Sequence, residues 1–278
     1  MQNSPTRKVT LESEVSMQQE KIVYEKDLRF RMHRAEGWRA EVGMLAPLPG
    51  MYREWEVVAP EGVKFSEAAL GLVQCTAEDL MKMNEGIAVE AKKLTLTRRP
   101  DLICLGCTSG SFVGGPNYDK EIVEKIEKVA ETPALTTTTC VLEVFKDMGI
   151  KKMALVGPYV KDVFDIEVEF FKKHGVESLY VKGLDCLTMP QMWAYYTDPY
   201  VCYHLVKDAA KAAPTADCVF VTCMMTWILA VVDTLEEEIG MPVISSPSAT
   251  LCGILKKLEI PDPVDHYGEA LRRPRLSK

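Results

Sequence analysis

The strongest constraint on the fold is an internal repeat. One copy reads Val42-Gly43-Met44-Leu45-Ala46-Pro47, then Asp101-Leu102-Ile103-Cys104-Leu105-Gly106-Cys107, then Pro133-Ala134-Leu135-Thr136. The second reads Met153-Ala154-Leu155-Val156-Gly157-Pro158, then Asp217-Cys218-Val219-Phe220-Val221-Thr222-Cys223, then Pro242-Val243-Ile244-Ser245. In both, an aspartate opens an apolar run and a cysteine stands six residues later. The Pro-to-Cys separations are 60 and 65 residues, and the Cys-to-Pro separations 26 and 19. Constant order with loose spacing is what two related α/β units produce when only their loops differ.

The rest of the chain fits that plan. Short apolar runs at 41–46, 101–106, 134–138, 152–156, 176–181, 218–222 and 243–245 read as buried strands. Between them, amphipathic patterns at 76–97, 118–131, 140–148, 160–174, 199–212 and 227–239 read as helices. Gly149, Gly175 and Gly240 follow three of these, as a glycine at a helix C-terminus should. Alternation of this kind predicts an α/β fold with mostly parallel sheets flanked by helices, and the repeat divides it into two related lobes facing each other. The expected division is an N-terminal charged arm over 1–37, a first lobe over 38–148 plus 248–278, and a second lobe over 149–247. The arm carries Glu12, Glu14, Glu20, Lys21, Glu25, Lys26, Asp27, Arg29 and Arg31 around a sparse apolar pattern. It is either a solvated tail or a segment that packs on a second subunit of a homo-oligomer.

Composition excludes several functions. A formal charge of -7 argues against nucleic-acid or anionic-membrane binding. The longest stretch without a charge runs from Asp217 to Asp233, short of the ~20 residues a membrane-spanning helix needs. Nine cysteines, an odd number, follow a polar start with no apolar secretion signal, which points to free thiols in the cytoplasm. The four histidines, His33, His174, His204 and His266, have no zinc-like spacing, so no metal site is expected. The Gly-rich stretch from Gly106 to Gly115 lacks the Lys-Ser/Thr pair of a phosphate loop and the spacing of a dinucleotide fingerprint.

Chemistry concentrates at the repeat's cysteines. In open parallel α/β sheets, ligands bind beyond the carboxyl ends of the strands, where helix N-termini present N–H groups. Cys107 and Cys223 both fall at such ends, and Thr108-Ser109-Gly110-Ser111 offers small residues with spare donors. A helix N-terminus lowers a thiol's pKa, so two opposed thiols can add to a substrate carbon, or take a proton from it, and deliver one to its other face. Cysteine is otherwise a small core residue, and the remaining seven, Cys75 and Cys104 among them, read as packing. Tyr159, just past a strand end, is placed either to donate over the cleft or to pack.

At these residues the chain resembles the aspartate/glutamate racemase superfamily, in the branch of maleate cis-trans isomerases and arylmalonate decarboxylases. The resemblance covers about 38–258. It is carried by Gly106-Cys107-Thr108-Ser109-Gly110-Ser111, by Ala154-Leu155-Val156-Gly157-Pro158-Tyr159 with Asp162-Val163, by Thr222-Cys223, and by Leu235-Glu236-Glu237-Glu238-Ile239-Gly240-Met241-Pro242-Val243-Ile244-Ser245-Ser246. It implies two pseudo-symmetric lobes with the active site between them, and a cofactor-independent isomerase or racemase of a small carboxylic acid with Cys107 and Cys223 as its catalytic thiols. Thr108, Ser109, Tyr159 and the backbone around Cys223 and Met224 would then bind a carboxylate or enediolate. The most concrete reaction it implies is maleate-type cis-trans isomerisation, in which one thiolate adds to the alkene. The alternative is decarboxylation of an arylmalonate, with Cys223 alone donating a proton; a small-acid binding protein without chemistry is a third class. The loop Pro47-Leu48-Pro49-Gly50 resembles that of the decarboxylases, where maleate isomerases have Ser-Asn, and Thr188 stands where those isomerases have a second asparagine. The two cysteines together depart from the decarboxylases, which keep only the second. Met224, Met225 and Trp227 make the second loop bulky and apolar, from which a substrate with an apolar part beside its carboxylate is expected.

Overall fold

The computed structural model describes residues 37–97 and 99–273; the expected arm lies outside them except for its last residue. Four strands, β1 (Ala40–Ala46), β2 (Val63–Ala69), β3 (Leu102–Leu105) and β4 (Ala134–Thr136), form one sheet in the order β2-β1-β3-β4. Four more, β5 (Lys152–Gly157), β6 (Glu177–Gly183), β7 (Cys218–Val221) and β8 (Val243–Ser245), form a second in the order β6-β5-β7-β8. Every pairing is parallel. The two sheets therefore repeat one topology, as the sequence repeat predicts.

The helices are α1 (Trp55–Val58), α2 (Ala77–Glu85), α3 (Ile87–Thr97), α4 (Thr108–Phe112), α5 (Tyr118–Ala130) and α6 (Thr137–Met148) in the first half. The second half adds α7 (Lys161–Lys173), α8 (Met189–Tyr196), α9 (Pro199–Ala212), α10 (Val232–Ile239), α11 (Ser246–Lys257) and α12 (Glu269–Arg272). Strands β3 and β7 are buried at every residue. They carry continuous apolar runs because helices cover both faces of a parallel sheet. The helix ends follow local chemistry. Thr136 accepts the Thr139 N–H to start α6, and left-handed glycines at Gly149 and Gly240 end α6 and α10.

The repeat's aspartates have the same task in each sheet. Asp101 Oδ2 accepts the Glu41 N–H at 2.8 Å, and Asp217 Oδ2 accepts those of Lys151 and Lys152 at 2.8 Å. Each ties the start of its strand to the start of the neighbouring central strand. Equivalent bonds close the far ends, from Gly106 N–H to the Leu45 carbonyl and from Thr222 N–H to the Val156 carbonyl, both 2.9 Å. Helices α6 and α11, which follow the last strand of each sheet, pack on each other. Gly253 permits the approach, since a Cβ there would sit 2.4 Å from Cys140 Sγ.

Three local expectations differ from the structure. The pattern over 76–97 is two helices, separated at Gly86. The expected helix over 227–239 begins later, with a 3-10 turn at Leu229–Val231 before α10. Strand β2 was not expected, because it is an edge strand in which only the first residue, Val63, is buried, and it carries Lys64, Ser66 and Glu67.

A short antiparallel bridge between Gln74 and Thr188 joins the two halves of the chain. It is flanked by Cys75 N–H to the Leu187 carbonyl at 2.8 Å and Met189 N–H to the Val73 carbonyl at 3.1 Å. No helix among the described residues is long and apolar enough to cross a membrane.

Candidate active site

In each sheet the chain leaves the first central strand toward one edge and returns on its other side, so strand order reverses between β1 and β3 and between β5 and β7. Such a reversal opens a crevice at the carboxyl ends of the strands, where ligands bind in open α/β sheets. Pro47 and Cys107 follow β1 and β3; Tyr159 and Cys223 follow β5 and β7. The sequence repeat therefore places its two cysteines at equivalent crevices.

Cys107 is the N-cap of α4. Its Sγ accepts the Gly110 N–H at 3.3 Å and lies 3.8 Å from Ser109 Oγ. Gly110 is needed there, because a Cβ would fall 3.0 Å from that sulfur and 2.9 Å from Met83 Cε. Ser111 Oγ donates to the Cys107 and Thr108 carbonyls, and Asn84 Nδ2 donates to the Gly110 carbonyl at 2.7 Å. These bonds fix the turn from both sides.

Cys223 ends its strand in a different conformation. Its φ is 82°, in the left-handed region that costs a non-glycine residue roughly 1–2 kcal/mol. The Met225 N–H and the Tyr159 hydroxyl both favour its thiolate, and the nearness of Cys107 opposes it. Tyr159 is buried, with its ring edge-on to Phe112 of α4 and to Phe164 of α7. Its hydroxyl makes no full hydrogen bond within the protein. A buried phenol that meets only a thiol remains a donor or acceptor available to a ligand.

The lowered thiol pKa expected from the helix N-terminus is not what the structure produces. Burial pushes the Cys107 thiol up to about 11, and the Gly110 N–H and Ser109 hydroxyl only partly offset it. Burial likewise pushes Cys223 up to about 12. Desolvation outweighs a five-residue helix because the sulfurs have almost no contact with water. Both thiols are thus neutral near pH 7, which makes each a proton donor before it is a nucleophile.

The other expected binding residues separate into two groups. Ser109, Tyr159 and Met225 touch or closely approach the thiols. Thr108 and Met224 brace the site instead: Thr108 Oγ1 donates to Ser246 Oγ at 2.8 Å, and Met224 Sδ accepts from Thr250 Oγ1 at 3.5 Å. The Pro47 carbonyl accepts the N–H groups of Gly71 and Leu72. Gly50 gives its N–H to Glu67 at 2.7 Å and lines a surface groove of about 520 Å³ with Arg53 and Lys64. Trp227 stacks edge-on with Trp193 at 5.8 Å. Among the described residues, no cluster of three or more His, Cys, Asp or Glu could hold a metal ion.

Two groups escaped the sequence reading. Cys75, read there as packing, lies 3.8 Å from Ser109 Oγ, and burial followed by the proximity of Cys223 and Cys107 pushes its thiol up. It is a third thiol of the same site, carried in by the bridge to Leu187. Glu167 on α7 is fully buried, and its Oε1 accepts from Thr222 Oγ1 at 2.6 Å. Nothing in the spacing of either residue marks it.

The chain is similar to several known proteins. The maleate isomerase of Geobacillus stearothermophilus is 23% identical over 249 residues, covering 83% of this chain and 96% of that protein. The arylmalonate decarboxylase of Bordetella bronchiseptica is 25% identical over 190 residues, covering 66% and 76%. Among solved structures, a liganded double mutant of arylmalonate decarboxylase superposes with a TM-score of 0.78 at 22% identity, covering 84% of this chain and 98% of that one. A cysteine-to-serine mutant of the Nocardia farcinica maleate cis-trans isomerase, with a covalently bound succinylcysteine intermediate, superposes with a TM-score of 0.75 at 19% identity over 84% and 98%. The family model described as arylmalonate decarboxylase matches residues 44–271, most of the chain and both cysteine-bearing crevices, so the chain belongs to the arylmalonate decarboxylase family.

Proposed function

We propose that this protein is a cofactor-independent cis-trans isomerase of a small unsaturated dicarboxylic acid of the maleate type, working through Cys107 and Cys223. The observation that carries the reading is the pair of buried thiols at equivalent strand ends, close enough that charge on Cys107 raises Cys223. The succinylcysteine seen in a relative supports it, since such an adduct is what thiol addition to maleate produces.

The steps balance without an added reagent. Cys107 acts through its minor thiolate population, the proton having passed to solvent, and its sulfur adds to one alkene carbon. The π pair moves to the other carbon and into its carboxylate as an enediolate. The Cys223 thiol protonates that carbon, leaving a succinyl thioether with a freely rotating single bond. After rotation the Cys223 thiolate takes a proton back, the C–S bond breaks, and the trans acid leaves. Donors at the start of α4 and the unpartnered Tyr159 hydroxyl are suited to the carboxylate and the enediolate. Maleate followed by proton NMR should yield fumarate.

One observation favours a second reaction. Cys223, neutral up to about 12, is a competent proton donor by itself. Decarboxylation of an aryl-substituted malonate needs only that. Release of carbon dioxide from phenylmalonate, with no fumarate from maleate, would replace the first reading by the second.

A further inference from the structure

Glu167 is a buried carboxyl that no step above uses. It lies within α7 with no exposed surface. Its Oε1 accepts the Thr222 hydroxyl at 2.6 Å, while Oε2 is buried without a partner. Thr222 is held on its other sides as well. Its N–H donates to the Val156 carbonyl at 2.9 Å, and its carbonyl accepts the Tyr196 hydroxyl at 2.6 Å. Its methyl group fills the space left by Gly157, where a Cβ would fall 2.3 Å away. The next residue is Cys223, at φ 82°. A strained backbone of this kind persists only where its surroundings over-determine it.

We propose that Glu167 is a positioning residue for Cys223: by accepting the Thr222 hydroxyl it anchors the end of β7 and holds Cys223 in the left-handed conformation that presents its thiol to the cleft. The catalytic consequence rests on the two-thiol reading above; the structural consequence does not.

The carboxyl does this as a neutral acid. Burial pushes it from the usual 4.5 up to about 8, with the Thr222 hydroxyl pulling the other way. The titratable groups that sense its charge are Cys223, Tyr159, Tyr196 and Cys75. Of the elements packed on α7, α4 brings Cys107 at its cap, and β6 brings Tyr180 and Lys182, the latter paired with Asp208. On α7 itself Lys161 pairs with Asp165 and Lys173 with Glu169. Below pH 8 the neutral acid places no negative charge beside a thiol that must ionise. Above it, the carboxylate opposes Cys223 ionisation, so wild-type activity should fall behind that of an uncharged Glu167→Gln variant on the alkaline side.

The test compares Glu167→Gln, Glu167→Leu and Thr222→Val in the full chain. Gln keeps an uncharged acceptor for Thr222; Leu and Val each delete one side of the bond. Loss of a buried hydrogen-bond partner predicts that Leu and Val lower kcat about tenfold or more with KM within about threefold. Gln should retain most of kcat below pH 8 and gain on wild type above it. In crystals of the Leu or Val variant, Cys223 should leave the left-handed region. If Glu167→Leu does not fold, Thr222→Val carries the same comparison. Wild-type kcat together with an unchanged Cys223 φ in a folded Leu or Val variant overturns the proposal, as does a Gln variant as damaged as Leu. If wild-type protein turns over neither maleate nor phenylmalonate, the two-thiol reading fails, and the Cys223 φ still decides the role of Glu167.

Discussion

The hydroxyl of Tyr196 donates to the carbonyl of Thr222 at 2.6 Å, immediately before Cys223. In the first sheet the hydroxyl of Tyr52 does the same to the carbonyl of Gly106, immediately before Cys107, at 3.0 Å. Neither tyrosine belongs to the repeated motifs, yet each braces the peptide that carries a cysteine of the proposed thiol pair. Tyr52→Phe and Tyr196→Phe should each lower stability by about 1–3 kcal/mol, the effect of orphaning a buried carbonyl. Each should also lower kcat more than the melting temperature shift explains. Activity unchanged in both would remove the bracing role.

The two sites differ in what fills the space before the cysteine. At Gly106 a Cβ would meet the Tyr52 hydroxyl at 2.0 Å and Met44 Cε at 2.9 Å, so Tyr52 occupies the position itself. Gly106→Ala should destabilise by about 1–3 kcal/mol through overpacking. Urea unfolding measures it, and a change below about 0.5 kcal/mol would show that the tyrosine can move aside.

Cys107→Ser and Cys223→Ser should each cut turnover by orders of magnitude, since a hydroxyl is a far weaker nucleophile and acid than a thiol. Circular dichroism should remain native because the volume change is small. Near-normal turnover of Cys107→Ser alone would point to the decarboxylase reaction, and near-normal turnover of both would end the thiol mechanism.

Thiols at about 11 and 12 are almost wholly protonated at pH 8. Alkylation by iodoacetamide should therefore run slower than for a free thiol, whose pKa is near 8.5, by roughly two orders of magnitude at Cys107 and roughly three at Cys223. The rate should still be climbing at pH 10. A plateau by pH 7, read by mass spectrometry, would mean that the helix N-terminus wins after all.

Glu54 supplies a separate pH effect. Its Oε1 accepts the Leu229 N–H at 3.1 Å, joining the two halves of the chain. Burial pushes the carboxyl from the usual 4.5 up to about 7, against the pull of that N–H. The folded protein then holds a proton that the unfolded chain releases, so this group's contribution to stability is full below about 4.5 and lost as pH rises to about 7. Glu54→Gln keeps the acceptor and removes the charge. It should match wild type at pH 4.5 and exceed it by about 1 kcal/mol at pH 8, after allowance for partial exposure. Equal melting temperatures at pH 8 would contradict this.

Much of the fold was legible from the chain alone because its signals are local. Asp101 and Asp217 mark strand starts, the apolar runs of β3 and β7 mark strands covered on both faces, and Gly149 and Gly240 mark helix ends. Strand β2 was not legible, since a half-exposed edge strand with Lys64 and Glu67 has little apolar signal.

The sequence by itself determined that two similar α/β units exist, and that in each a cysteine follows the central strand opened by an aspartate, because a repeat records shared local geometry. Only the tertiary structure decided the state and company of those cysteines. Burial, a property of the whole packed molecule, reversed the thiol pKa expected from the helix end. Chain segments far apart in sequence brought Cys75, Glu167, Tyr52 and Tyr196 to the two strand ends. Contacts of that kind have no fixed spacing along a chain, so no pattern of residues could have announced them.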